Sequence, residues 1–541
     1  MKRLIIATLI LLIAAVSVTV IYFNNLNTPA QNTSRVMHTI PADAAFIFEF
    51  NNDAGFYDIF KGNKLFAAVV GQESLAELDT LKAQLLLNPQ LEHFFTDQNI
   101  FISVHPVTNN ALELLMTTSA AKKFNTTIID DLARQHDGNL LVTPMVIDGK
   151  KGYTLYSSKI KKRFYLVNTS DNILSGSFSK ELVERAAQIK LQKTAVNAFV
   201  LLPDQQNANS LGNLYVNYSS LAPLFEQLFQ NKNTDIFKSF RLFSGSAAMS
   251  LNFKSDALMF SGETDVEKNR PVSYLNLFID QQSVANHLKD IYPSTTAYSI
   301  GFAISDIMKF KMALSQFQVK AGLQADKDQL FGTIKKETGI NLVNEFNNLL
   351  GNEFAVVTTK YREKLGIITI KDGAKLKSLM YNLGTVNANE TGRFNYDKLP
   401  YFLLGDAFNV FKKPYFIVLD NYLVLANSTN ELLSYRDSYL NHKFLNKTEG
   451  YASFDNLLAE KSNVTYFIHF KNIAPLLKTD LNPHFYDIFE HPEPGLNNFY
   501  GASYQFTAAN NSFYTNFCMK LNTSDTIKTV GKNIVEEVSG N

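Results

Sequence analysis

Apolar and polar positions alternate along most of this chain in short runs broken by polar turns. Alternation of period two predicts strands over 45–50, 99–104 and 111–117, the last two joined through Pro106 and Asn109-Asn110. Leu75, Leu78, Leu81 and Leu85 recur instead at three- and four-residue spacing, which predicts an amphipathic helix over 73–87. Residues 140–147 and 153–156 predict a hairpin across Asp148-Gly149, a dipeptide suited to the positive φ of a tight turn. Strands over 163–168 and 173–178 follow across another short polar turn. Ser179 then stands where a helix needs a cap, with Glu181 and Glu184 near the positive end of the helix dipole. Further on, 415–419 and 422–426 repeat this hairpin, and Ser428 caps the helix after it. Strand pairs over 246–253 with 257–264, and over 501–507 with 512–521, complete the pattern. Turns this short join antiparallel neighbours. The expected fold class is α+β, with helices packed on mainly antiparallel sheets.

One segment breaks the alternation. Residues 4–23 carry no charge and follow Met1-Lys2-Arg3. About 20 apolar residues rising about 1.5 Å each cross a bilayer core of roughly 30 Å. Positive charge ahead of the segment orients it with residues 1–3 in the cytoplasm and the body outside. The expectation is a single-pass signal anchor, a polar linker over 24–37, and a periplasmic body attached to a bacterial inner membrane. A cleaved signal peptide is the alternative, with Thr28-Pro29-Ala30 as a small-x-small site; the apolar regions of such peptides usually run only about 7–15 residues.

The pattern also repeats. TIPADAAFIFEF from Thr39 resembles IYPSTTAYSIGF from Ile291, with Pro41 and Pro293 252 positions apart. NLYVNYSSLAPL from Asn213 resembles TYFIHFKNIAPL from Thr465, and Pro223 and Pro475 are again 252 apart. Between them, Asp171-Asn172 matches Asp420-Asn421, Glu181-Leu182 matches Glu431-Leu432, and Phe101 matches Phe354. Several matches in one order at nearly one offset predict two tandem homologous lobes, 38–285 and 286–525, followed by a C-terminal tail over 526–541. What they share is apolar strand positions, an Ala-Pro helix opener and an Asp-Asn turn. Glu49 aligns with Gly301, and Asn217 with His469, so no reactive set is common to both.

Composition narrows the chemistry. Of 541 residues, 46% are hydrophobic and 19% charged, which is globular rather than disordered. The net charge of +1 gives no electrostatic case for a nucleic-acid partner. The one cysteine, Cys518, cannot form an internal disulfide and reads as a buried strand residue. Phosphate-cradling glycine motifs, G-x-S-x-G and H-E-x-x-H are absent. Ser244-Gly245-Ser246 is the nearest serine cluster and opens a strand. His484, Glu490, His491 and Glu493 form the densest His-carboxylate group, but their prolines favour a surface loop over a metal centre. The basic run 159–163 reads as a solvated hairpin tip. Sequons such as Asn168, Asn217 and Asn463 fall within expected strands, where a glycan would not fit; with no disulfide, that favours a bacterial envelope setting.

The anchor followed by a first strand opened by Ile40-Pro41-Ala42-Asp43-Ala44-Ala45 resembles a group of uncharacterised bacterial membrane-anchored envelope proteins of the domain-of-unknown-function kind. The resemblance covers nearly the whole chain. It implies an address and no activity. No catalytic, cofactor-binding or metal residue is assigned. The expected function is a membrane-tethered extracytoplasmic binding or scaffold protein of unknown ligand, non-enzymatic, whose expected partners are the membrane, through the N-terminal helix, and other envelope proteins. An envelope hydrolase with a site between the lobes, or a carrier of a hydrophobic ligand, are the alternatives.

Overall fold

A computed structural model describes residues 35–522 apart from 61–64, 66–71, 108–110, 122–123, 135–139, 171, 190–209, 232–233, 235, 237–239, 241–242, 268–272 and 491–494. The anchor, most of the linker and the tail lie outside the described residues. Among those described, no helix is long and apolar enough to cross a membrane. The end of the expected linker is not a tether: Val36 and Met37 are buried with Ile40 beneath the first strand, because their apolar side chains complete a core there.

In the first half of the chain the strands are β1 (Phe46–Asn51), β2 (Asn99–Val107), β3 (Ala111–Ser119), β4 (Leu140–Ile147), β5 (Lys150–Ser157), β6 (Arg163–Ser170), β7 (Ile173–Ser177), β8 (Gly212–Asn217), β9 (Gly245–Lys254) and β10 (Ala257–Val266). A short β11 (Val284–Ala285) follows. The second half holds β12 (Thr296–Ala303), β13 (Leu350–Thr359), β14 (Lys364–Ile370), β15 (Gly384–Val386), β16 (Gly392–Phe394), β17 (Tyr415–Leu419), β18 (Tyr422–Ala426), β19 (Lys461–Ser462), β20 (Val464–His469), β21 (Phe499–Ala509) and β22 (Ser512–Leu521). Apart from β11 and β19, which pair with each other, the strands form one 20-stranded sheet.

Every pairing in that sheet is antiparallel. Outward from β10 run β9, β8, β1, β2, β3, β7, β6, β5 and β4. Outward from β22 run β21, β20, β12, β13, β14, β18, β17, β16 and β15. The two orders are the same, and β10 pairs with β22 to join them. Register repeats as well: Phe46 lies opposite Val216, and Tyr298 opposite Ile468, each 252 positions further on. The join is locally two-fold. Ser261, fifth in β10, lies opposite Asn516, fifth in β22. Phe229 bridges Leu481, which follows it by 252 positions, flanked by Gln230 N–H donating to the Asp480 carbonyl and Asn482 N–H to that of Leu228.

Both faces of the sheet are covered. One face carries a large core running through both halves, with Tyr218, Phe243, Phe278, Phe310, Phe354 and Phe408 all nearly inaccessible. The other carries smaller cores around Phe101 and Tyr215 in the first half and around Tyr292 and Val357 in the second. Strands buried on both faces read as continuous apolar runs, as in Phe46-Ile47-Phe48.

Three local expectations change. The helix expected over 73–87 runs as an α-helix over Gln72–Leu81 and then as a π-helix over Lys82–Leu86, with Leu87 N–H donating to the Lys82 carbonyl. The wider turn rotates the apolar face by one position, so Leu86 is buried and Leu85 only partly so. Pro106 does not break the chain between β2 and β3 but lies inside β2, opposite Leu112. It is tolerated because β1 ends opposite Val104, leaving no partner for the missing N–H. The match of Phe101 with Phe354 is one residue out of register: Glu49 lies opposite Phe101, but Gly301 lies opposite Ala355, so Phe354 faces the other side of the sheet. The Ala-Pro opener also differs between halves. A 3-10 turn, Tyr218–Ser220, puts Pro223 in the first turn of the helix Leu221–Leu228, whereas the helix Phe470–Asp480 starts directly after its strand and holds Pro475 in its interior.

Candidate functional site

Among the described residues, three of the buried polar constellations bear on chemistry. The first begins at Asp43, in the segment that opens β1. His105 Nδ1 lies 3.0 Å from Asp43 Oδ1, and its Nε2 lies 2.8 Å from Ser103 Oγ. Arg185, from the helix Lys180–Gln188, donates to Asp43 Oδ2 at 2.5 Å and to the Pro106 carbonyl at 3.0 Å. Burial lowers the His105 pKa, although Asp43 opposes it. Burial alone would raise that of Asp43; the hydrogen bond and charge of His105, with the charge of Arg185, outweigh it and lower it. A neutral imidazole with Nδ1–H toward a carboxylate and Nε2 toward a serine is the relay of a serine hydrolase. Here Ser103 and His105 are fully inaccessible on the inside of β2, so no carbonyl can approach. The group works as a clamp between the chain leading into β1, strand β2 and the helix Lys180–Gln188 that follows β7. In the register of the second half, Thr295, Val357 and Thr359 stand at these positions.

The second constellation surrounds Glu49, which is 2% exposed. Asn99 Nδ2 donates to its Oε1 at 2.7 Å; Tyr215 Oη and Asn213 Nδ2 donate to Oε2 at 2.6 and 3.3 Å. The third is its register counterpart. In the second half, Gly301 takes the place of Glu49, Thr465 that of Asn213, Phe467 that of Tyr215, and Glu353 that of Asn99. The carboxylate has moved one strand across, and the side-chain donors that served it are gone. A cavity of about 40 Å³ lies there, lined by Ser299, Gly301, Glu353, Thr465, Phe467 and Gln505 among others. Glu353 is 8% exposed, and its Oε2 accepts from His287 N–H at 2.9 Å and Leu288 N–H at 2.8 Å. Among the described residues nothing donates to Oε1. Burial raises the Glu353 pKa against those two amides. We take this cavity as the candidate site, because it joins an incompletely bonded, largely buried carboxylate to open space.

The residues singled out from sequence are elsewhere. Cys518 is 4% exposed in β22, and burial pushes its thiol up to about 12, so it is a packing residue. Ser244 donates to Glu267 Oε2 at 2.7 Å, a carboxylate rather than a base-bearing imidazole. His484 and Glu490 lie at opposite ends of the helix Pro483–Glu490, while His491 and Glu493 lie outside the described residues; no group of three metal-ligand side chains forms among the described ones. In the basic hairpin tip, Lys162 pairs with Glu77 at 2.5 Å. Asn463 is fully buried, donating to the Gln282 and Ala303 carbonyls, which leaves no room for a glycan. An apolar gap of about 50 Å³ between the π-helix and the first-half sheet is far smaller than the several hundred Å³ of a typical ligand pocket.

Glu353 was not singled out because it is one of fifty acidic residues. The signal that could have found it is the pair of exchanges at repeat-equivalent positions, Glu49 with Gly301 and Asn99 with Glu353. It becomes visible once β2 is aligned at the offset its strand pairing sets.

Searches for a matching protein family, for similar curated proteins and for similar solved structures find nothing that matches this chain.

Proposed function

We propose that this protein is a binding or scaffold protein of the bacterial cell envelope, held in the inner membrane by residues 4–23 with its body in the periplasm, and that it is not an enzyme. The observation that carries the reading is the uncharged segment 4–23 directly behind Lys2-Arg3. The body is one α+β unit used twice, 38–285 and 286–525. The shared strand order, the 252-residue register and the two-fold join of β10 with β22 support this. A binding role is favoured over hydrolysis at the join, where the buried hydroxyls bond to one another: Tyr218 to Tyr504 at 2.5 Å and Thr264 to Thr515 at 2.6 Å. The test is a pair of reporters fused after Asn541. A reporter active only outside the cytoplasm should work and a cytoplasm-only reporter should not. The reverse result overturns the topology. Turnover of a cell-wall or lipid substrate by the purified protein overturns the non-enzymatic reading.

A further inference from the structure

We propose that the Glu353 cavity binds a small primary ammonium group, such as the end of an alkylamine or of an amino-bearing envelope component. This deepens the binding reading and rests on it, but not on the anchor, so it and the topology test fail independently.

The first half shows what a carboxylate needs at this place in the sheet. Both oxygens of Glu49 are served by N–H or O–H donors from three side chains. At the matching place in the second half the donors have become Thr465 and Phe467, and the acid itself replaces the amide of Asn99. Glu353 keeps two backbone amides on Oε2, and among the described residues nothing donates to its Oε1, while the residue lines the cavity. An accessible carboxylate oxygen on a largely buried side chain, with no donor among the described residues, can take one from outside the chain. The nearest basic side chain in the lining, Lys289, is held by Asp455 at 2.5 Å. The walls on the Glu353 face include Tyr292, Tyr451, Phe454 and Phe467, and aromatic rings favour a cation. The volume of about 40 Å³ exceeds the roughly 10–15 Å³ that one water requires, and suits an ammonium head with a short stem. Gly301 keeps the space open: a Cβ there would stand 3.1 Å from Tyr292 Oη.

The test is saturation-transfer NMR on the full chain with methylammonium as probe. Transfer to the methyl protons should be seen and should be competed by ethylammonium, but not by sodium at equal ionic strength. A two-heavy-atom ligand is limited to a Kd on the order of millimolar. Glu353→Gln retains an oxygen for the two amides and should weaken binding at least tenfold. Glu49→Gln should leave it unchanged. Gly301→Ala, which narrows the cavity without touching the acid, should also abolish transfer and serves if Glu353→Gln does not fold. No transfer to the native chain, displacement by sodium, or equal transfer to either cavity variant overturns the proposal.

Discussion

His469 makes the stability of the second half depend on pH. It ends β20 and caps the helix Phe470–Asp480, its Nδ1 accepting from Asn472 N–H at 3.3 Å, with its ring edge-on to Tyr500 at 4.8 Å. It is 8% exposed; burial, helped by the charge of Lys471, lowers its pKa from 6.5 to about 4. Protonation removes the acceptor and places a charge in a closed site. Because the folded pKa lies below the unfolded one, the unfolded chain binds the proton more tightly. The stability is therefore complete above pH 6.5 and lost as pH falls toward 4. At about 1.4 kcal/mol per pKa unit, this group costs about 2 kcal/mol between pH 7 and pH 5. The other half suggests the control. Asn217 stands 252 positions earlier and caps the 3-10 turn Tyr218–Ser220, its Oδ1 accepting from Ser219 N–H at 3.1 Å without titrating. Urea unfolding followed by far-UV circular dichroism, at pH 7 and pH 5, should show His469→Asn losing about 2 kcal/mol less than the native chain. Some pH dependence should remain, since burial lowers the His105 pKa too. Equal losses in the two proteins would refute the argument.

Other changes test the packing. Asp43→Ala removes the carboxylate that His105 Nδ1 and Arg185 share, leaving them only Ser103 and the Pro106 carbonyl; since the Asp43 side chain is 37% exposed, the cost read from a denaturation midpoint should be about 2 kcal/mol, below that of a fully buried pair. Gly373→Ala should destabilise by about 2 kcal/mol although alanine favours a helix by about 1, because the new Cβ overlaps the Asp420 carbonyl oxygen. Leu86→Ala should cost about 3 kcal/mol and Leu85→Ala about 1, the reverse of what a regular helix would give; thermal unfolding of the two variants decides it. Cys518 should resist iodoacetamide at pH 8 in the native chain and react once urea unfolds it, as read by mass spectrometry.

Local chemistry made much of the architecture legible. Period-two alternation with turn dipeptides located most strands, as in the hairpin of β4 and β5, because a strand with one buried face must alternate. Ser179 and Ser428 cap their helices by accepting from Leu182 and Glu431 N–H, since a free helix N-terminus needs a short acceptor at that position. The spacing of Pro41 from Pro293 carried the repeat. Tertiary structure decided the rest. The π turn at Lys82–Leu86 left no mark in the leucine spacing, and the place of Pro106 inside β2 depends on what lies across the sheet. So does the fusion of both halves into one sheet through β10 and β22, since no local pattern says which edge strand finds which. The clamp of Asp43, His105 and Arg185 joins residues far apart in sequence. The candidate site needed both levels. Sequence supplied the exchange of Glu49 for Gly301. Only strand pairing set Glu353 beside that gap, because a carboxylate's surroundings are fixed by its neighbours across the sheet rather than along the chain.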